Sequence, residues 1–295
     1  MTRPATLTAR VDANGGVDCA VDQFSVPWWS FTKTALAAAA LQLVARGHGS
    51  LDNEFDGRPF TLRQLLQHRA GLPDYGTLAG YQEAARSGAR PWDTDDLLQR
   101  AGHDRLIHAP GHGWHYSNIG YLFVRRFIER SSGTDLGQAL RELVFDRIGL
   151  KSVRVATDPR DLDATAWGNS ARYDPRWVYH GLIVGSPADA ARFLHHLMTG
   201  SVLPPGLLKE MTTPCSIGAS AMPERPWLAA GYGLGLMIGP WRDTGAAIGH
   251  SGAGPGSVSA VYHFPDRPVP CTTAGFAMGE LEGIAENAVA RMARR

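Results

Sequence analysis

Cysteine is scarce: Cys19, Cys215 and Cys271 are the only three in 295 residues, far apart and odd in number. No C-x-x-C pair occurs, so neither a disulfide framework nor a zinc knuckle is expected. Lysine is equally sparse, at Lys33, Lys151 and Lys209, which makes each lysine informative. No sign of charge dominates. There are 29 basic and 28 acidic side chains, a net of +1, which argues against nucleic acid or an anionic membrane as the main partner. Long apolar runs are missing too. The longest, Leu36–Leu41, stops at Gln42, far short of the ~18 residues of a membrane span. Met1–Thr8 has no apolar stretch of a secretory signal, so the expectation is a cytoplasmic chain with reduced thiols. What is present is a globular balance, 44% hydrophobic and 19% charged, in a chain long enough to bury a core without staples.

The texture changes along the chain. Thr6–Asp12 and Val17–Phe24 alternate about Asn14-Gly15-Gly16 and predict a hairpin. After Trp28-Trp29, Ser30 opens an Ala/Leu-rich run to Arg46 that Gly47 stops, which predicts a long helix. Thr61 caps a short helix to His68. Residues 69–115 are rich in Gly, Pro, Asp and His and predict loops with one helix near 94–101. Helices follow over 118–132 and 134–148, and another begins at Ser186-Pro187 and reaches Met198. Strands are expected over 231–238, 246–250, 257–264 and 272–278, then a closing helix over 280–294. Strands at both ends with helices between them predict a sheet domain from residues 1–50 and 180–295. A helical domain, 51–179, is inserted in it.

Three short constellations carry chemistry. In Ser30-Phe31-Thr32-Lys33, a helix beginning at Ser30 places Lys33 one turn on, on the same face. A serine hydroxyl needs a base beside it, and a lysine on an apolar helix serves, because burial disfavours its charged form. The alternative is a capping serine and an unrelated lysine. In Tyr116-Ser117-Asn118, a phenol can move a proton and an amide can orient substrate. The alternative is a turn capped by Asn118. His250-Ser251-Gly252-Ala253 ends an expected strand, whose edge can offer an oxyanion N–H while Gly252 allows close approach. A glycine-rich hairpin is the alternative. Gly249–Ala253 nearly matches a G-x-S-x-G elbow but lacks its last glycine. His112-x-x-His115 has no acidic or cysteine partner at metal-site spacing and reads as loop histidines.

Together, in this order, the three constellations resemble the serine β-lactamase and penicillin-binding-protein superfamily. They look most like its class C branch, with D-aminopeptidases, DD-peptidases and esterases. Tyr116 stands where class A enzymes have the first serine of Ser-Asp-Asn. Residues 65–73, 116–121, 145–150, 231–235 and 249–252 carry the likeness further, over about residues 24–264. The resemblance implies an α+β fold, an antiparallel sheet flanked by N- and C-terminal helices with a helical region inserted and the site between. It implies Ser30 as acylated nucleophile, Lys33 sharing its proton, and Tyr116 as base in acylation and acid toward the leaving group. Asn118 would bind the substrate amide or position Lys33; His250, Ser251 and Gly252 would bind substrate. The N–H groups of Ser30 and Ala253 would form the oxyanion hole. No metal or cofactor is implied. His250 stands where many β-lactamases have a lysine, which favours a small ester, amide or D-amino-acid peptide over a β-lactam. A catalytically inactive, ligand-binding member is the alternative of another class. Trp28 and Trp29 could line an acyl pocket or pack against the sheet, with packing expected for at least one.

Overall fold

The computed structural model describes residues 4–169, 172–220 and 224–295; residues 1–3, the start of the segment read for a signal, lie outside this description. Among the described residues, both ends of the chain supply one antiparallel sheet of eight strands. They are β1 (Thr6–Asp12), β2 (Val17–Cys19), β3 (Cys215–Ser220), β4 (Ala229–Tyr232), β5 (Met237–Trp241), β6 (Gly245–Gly254), β7 (Ser257–Phe264) and β8 (Cys271–Met278). Their order is β2-β1-β8-β7-β6-β5-β4-β3. β1 lies along the whole of β8, Thr6 opposite Ala277 and Asp12 opposite Cys271, and so joins the N-terminal hairpin to strands that begin after residue 214.

The side-chain period of two sorts the sheet into faces. On β7, Val258, Ala260, Tyr262 and Phe264 pack with Ala285 and Val289 of α4 (Glu282–Ala293). Val261, between them, joins Leu7, Ala9, Val11 and Phe276 in the larger core, with α1 (Thr32–Ala45) and α3 (Pro187–Met198). Helix α1 has no solvent face. Ala35 to Leu41 are all 0% exposed, as expected of a helix that is apolar all round. Its alanines let neighbouring elements come close: a Cβ on Gly235 would lie 2.6 Å from the Ala37 Cβ.

Several local expectations change. The strand expected over 231–238 is two strands, because Gly233 to Leu236 form a tight turn with Gly235 at φ +74, and Tyr232 then faces Met237 across β4 and β5. The helix expected over 134–148 is a short helix, Leu136–Leu140, followed by looser turns to Ile148. A helix at Ala79–Arg86 lies in the region read as loop; it has no capping side chain and only Ala85 is buried, so little in the pattern marks it. Helix α2 (Asn118–Ser132) is capped by Ser117, whose Oγ accepts the Gly120 N–H at 3.2 Å, and it ends at Gly133 with φ +71. No helix among the described residues is long and apolar enough to cross a membrane.

Candidate active site

The chain enters α1 through a single tight turn, Trp29–Phe31, and that turn is strained. Trp29 has φ +46, a left-handed conformation that a bulky residue rarely adopts. Its surroundings enforce it. The Trp29 indole N–H donates to Ser257 Oγ at 2.9 Å, and its ring lies where a Cβ on Gly254 would be. Trp28 anchors the other side: fully buried, it packs against Phe31, Phe145 and Phe193 at centroid distances of 5.3, 6.1 and 6.1 Å. Its carbonyl accepts from Ser259 Oγ at 2.9 Å. The two indoles therefore divide the expected roles, Trp28 packing and Trp29 lining the cleft.

This turn holds Ser30 at the head of the helix, where two side chains converge on its oxygen. Tyr116 Oη donates to Ser30 Oγ at 2.9 Å, and Lys33 Nζ lies 3.3 Å from it. Lys33 is 0% exposed. Burial pushes its ammonium down to about 7, against the weaker pull of Asp74 and Glu282. Burial pushes the Tyr116 phenol the other way, well above its ordinary range. Burial thus favours the neutral amine of Lys33 and the protonated phenol of Tyr116.

Tyr116 is held by a ring that the sequence reading did not single out. His68 lies against it at a centroid distance of 4.3 Å. Partners fix the His68 tautomer: Nδ1 accepts the Ser117 N–H at 3.1 Å, so Nε2 carries the hydrogen and donates to Tyr232 Oη at 3.2 Å. Tyr232 then donates to His250 Nε2 at 2.8 Å, and His250 Nδ1 donates to the Ser251 carbonyl. His250 is 2% exposed, and burial pushes its imidazole down to about 3. It is a neutral link in this chain rather than a charged anchor for substrate.

The remaining expected residues separate by strand face. Gly252 faces Ser30. A Cβ there would collide with the Ser30 backbone N and lie 2.8 Å from the Trp29 Cβ, so the glycine permits the strand and the nucleophile turn to touch. Ser251, one residue away, turns to the opposite face. Its hydroxyl donates to Glu286 and meets Tyr262 Oη at 2.7 Å. A substrate contact at Ser251 would therefore not come from its side chain, which belongs to a buried network in which Glu286 also holds Arg225 and Trp227 Nε1. Among the described residues β6 pairs with β5 only as far as Gly249, which leaves the 250–254 edge beside the Ser30 turn. Asn118 is engaged by Asp74: its backbone N donates to Oδ1 at 2.8 Å and its Nδ2 to Oδ2 at 3.3 Å. Its amide oxygen has no hydrogen-bond donor among the described residues.

Ser30, Asn118 and Ala253 share a cleft of about 250 Å³ with Trp29, Tyr75, Tyr81, Tyr173 and His180. That volume suits a small molecule, and the walls are largely aromatic. Tyr75 and His180 carried no signal in the sequence; the topology brings them in from the loop after residue 70 and from the bend before the strand Leu182–Gly185.

A family model described as Beta-lactamase matches residues 23–278. The chain is 23% identical over 267 residues to penicillin-binding protein 4* of Bacillus subtilis (strain 168), covering 81% of this chain and 57% of that protein. It is 34% identical over 143 residues to esterase EstB of Burkholderia gladioli, covering 41% of this chain and 36% of that one. The chain thus spans about half or less of the curated relatives it matches. The D-amino acid amidase structure from Ochrobactrum anthropi SV3 superposes with a TM-score of 0.81 at 21% identity, over 98% of this chain and 94% of that one. That likeness establishes the fold.

Proposed function

This chain belongs to the Beta-lactamase family, and within it we propose a serine hydrolase that works through an acyl-enzyme on small esters or amides, D-amino-acid amides included. The observation that carries this reading is the convergence of Tyr116 Oη and Lys33 Nζ on Ser30 Oγ, at 2.9 and 3.3 Å, in a cleft.

The steps follow from the protonation states. As Ser30 Oγ bonds to the substrate carbonyl carbon, its proton passes to the neutral Lys33 amine. Charge that develops on the carbonyl oxygen is met by the backbone N–H groups of Ser30 and Ala253. Tyr116, still protonated and already donating to Oγ, gives its proton to the leaving oxygen or nitrogen as that bond breaks. The Lys33 ammonium returns the proton to the phenolate. Water then attacks the acyl-enzyme by the same steps in reverse. Neutral His250 supplies no fixed cation for the carboxylate of a β-lactam. The Asn118 oxygen, on the cleft, instead favours a substrate with an N–H donor.

The test is one parallel assay of wild type and Ser30→Ala on p-nitrophenyl acetate and butyrate, D-alanine p-nitroanilide and nitrocefin. Ser30-dependent ester or anilide turnover with little nitrocefin turnover is the expected result. Strong nitrocefin turnover assigns the chain to β-lactams. Silence on all four, with no labelling of Ser30 by a fluorophosphonate, assigns it to ligand binding without chemistry.

A further inference from the structure

His180 is within hydrogen-bonding distance of Lys33, and none of these steps uses it. It sits in the bend Val178–Gly181, where Gly181 has φ +99, immediately before the strand Leu182–Gly185. Its ring is 3% exposed. Nε2 lies 3.1 Å from Lys33 Nζ, and Nδ1 is buried with no partner among the described residues. The tautomer follows. An ammonium has no lone pair with which to accept, and a free amine needs its lone pair toward Ser30 Oγ. Nε2 is therefore the acceptor, and Nδ1 carries the ring hydrogen. Asn118, the other residue offered for holding Lys33, could accept from it only through its amide oxygen, and among the described residues the hydrogen-bond partners of Lys33 Nζ are Ser30 Oγ and His180 Nε2.

We propose that His180 is the positioning residue of the Lys33 base, accepting one of its N–H groups at Nε2 so that the amine lone pair is turned toward Ser30 Oγ. This rests on the reading of Ser30 and Lys33 as nucleophile and base. When Ser30 bonds to the acyl carbon, its proton goes to Nζ, and the ammonium so formed still donates to His180. No proton enters the ring. The surroundings keep the ring neutral: burial, Lys33 itself, Arg125 from α2, His68 and His250 all disfavour a second proton on it. Around Lys33, Asp74 and Glu282 favour the ammonium, and the Tyr116 and Tyr121 rings cover Nζ at 4.9 and 5.6 Å.

The experiment follows labelling of Ser30 by a fluorophosphonate, read by intact mass from about pH 5 to about pH 9. Wild type, His180→Leu and His180→Gln are compared, with Ser30→Ala as the labelling control and thermal melts as the folding control. Losing an acceptor for a charged donor slows labelling by His180→Leu about 10–100-fold. It also moves the acid limb to lower pH, because the ammonium has lost a partner. The amide oxygen of His180→Gln can accept in place of Nε2 and restores both. On p-nitrophenyl acetate the loss falls on kcat, with KM changed less than about twofold. Wild-type labelling and an unmoved limb in His180→Leu overturn the proposal, as does slow labelling with an unmoved limb that Gln does not restore. A measurement on wild type decides independently of any variant: the ¹⁵N shifts of the His180 ring place the hydrogen on Nδ1, and a hydrogen on Nε2 overturns the proposal. If wild type does not label at Ser30 at all, the hydrolase reading itself fails and takes this proposal with it.

Discussion

Replacing Lys33 with methionine tests the electrostatic basis of the mechanism without a substrate. Methionine nearly matches the length of lysine and carries no charge. Lys33 is fully buried, and its ammonium is pushed from 10.5 down to about 7. At about 1.4 kcal/mol for each pH unit of that interval, burial costs the charged form about 5 kcal/mol. Between these two values the unfolded chain holds a proton on Lys33 that the folded chain has released. Wild-type stability therefore rises with pH through this window, and at pH 7 nearly the whole cost is still felt. The variant escapes it but gives up the contacts to Ser30 Oγ at 3.3 Å and His180 Nε2 at 3.1 Å, worth about 1–2 kcal/mol together. We expect Lys33→Met to be inactive yet more stable than wild type at pH 7, by about 3 kcal/mol. The assay is urea unfolding of both proteins at about pH 7, 8 and 9. The advantage of the variant should shrink by about 1.4 kcal/mol per pH unit, since other titrations are common to both chains and cancel. A difference that stays constant from pH 7 to 9 would refute the reasoning, for it would mean that Lys33 keeps its proton in the folded protein.

The pH dependence of turnover should follow the same group. kcat/KM for p-nitrophenyl acetate rises through about 7 as Lys33 loses its proton; a profile flat from about pH 5 to 9 removes Lys33 as the base. Tyr116→Phe should lower kcat about 10²–10⁴-fold on an anilide, whose leaving nitrogen needs a proton, and much less on a p-nitrophenyl ester, whose leaving group does not. Equal losses on both substrates would take the leaving-group proton away from Tyr116. Gly252→Ala should cost about 1–3 kcal/mol in a thermal melt and most of the Ser30 labelling rate, because its Cβ meets Ser30 N and Trp29; unchanged labelling would show that the turn can yield. Glu286→Gln takes from Arg225 the carboxylate it holds at 2.7 and 2.5 Å and leaves it Glu282 at 2.7 Å. It should destabilise by about 1–3 kcal/mol in urea while Ser30 still labels, since the network lies on the far face of the sheet.

The buried polar groups of the site form two separate systems, and this bears on how the variants differ. On the Ser30 face, His68, Tyr232 and His250 form a directed chain ending on the Ser251 carbonyl. On the other face, Ser251 Oγ, Tyr262, Trp227 and Arg225 converge on Glu286. Among the described residues the β6 backbone is the hydrogen-bonded link between them, and Arg225 and Glu282 reach His250 and Lys33 through charge alone. A change at Glu286 is therefore first a change in stability, whereas a change on the Ser30 face acts on the position of Tyr116.

What the sequence alone determined is whatever is local. Ser30 and Lys33 stand one helical turn apart. Thr61 supplies a hydroxyl where a helix begins, and Gly133 ends one at a positive φ, whereas the cap offered at Asn118 falls one residue earlier, on Ser117. Spacing within one element is set by backbone geometry, so those residues could be read, and the order of the three motifs made the family legible. Which face a strand shows to the nucleophile is not local. Ser251 and Gly252 are neighbours in the same motif, yet one turns to Glu286 and the other to Ser30, and only the pairing of β6 with β7 assigns them. The roles of Lys33 and Tyr116 depend on burial, which belongs to the packed molecule and not to either residue type. His68, Asp74 and His180 gave no signal of their own because their partners lie 49, 44 and 147 residues away in sequence. Contacts of that range exist only once the sheet has closed and the inserted helices have docked against α1.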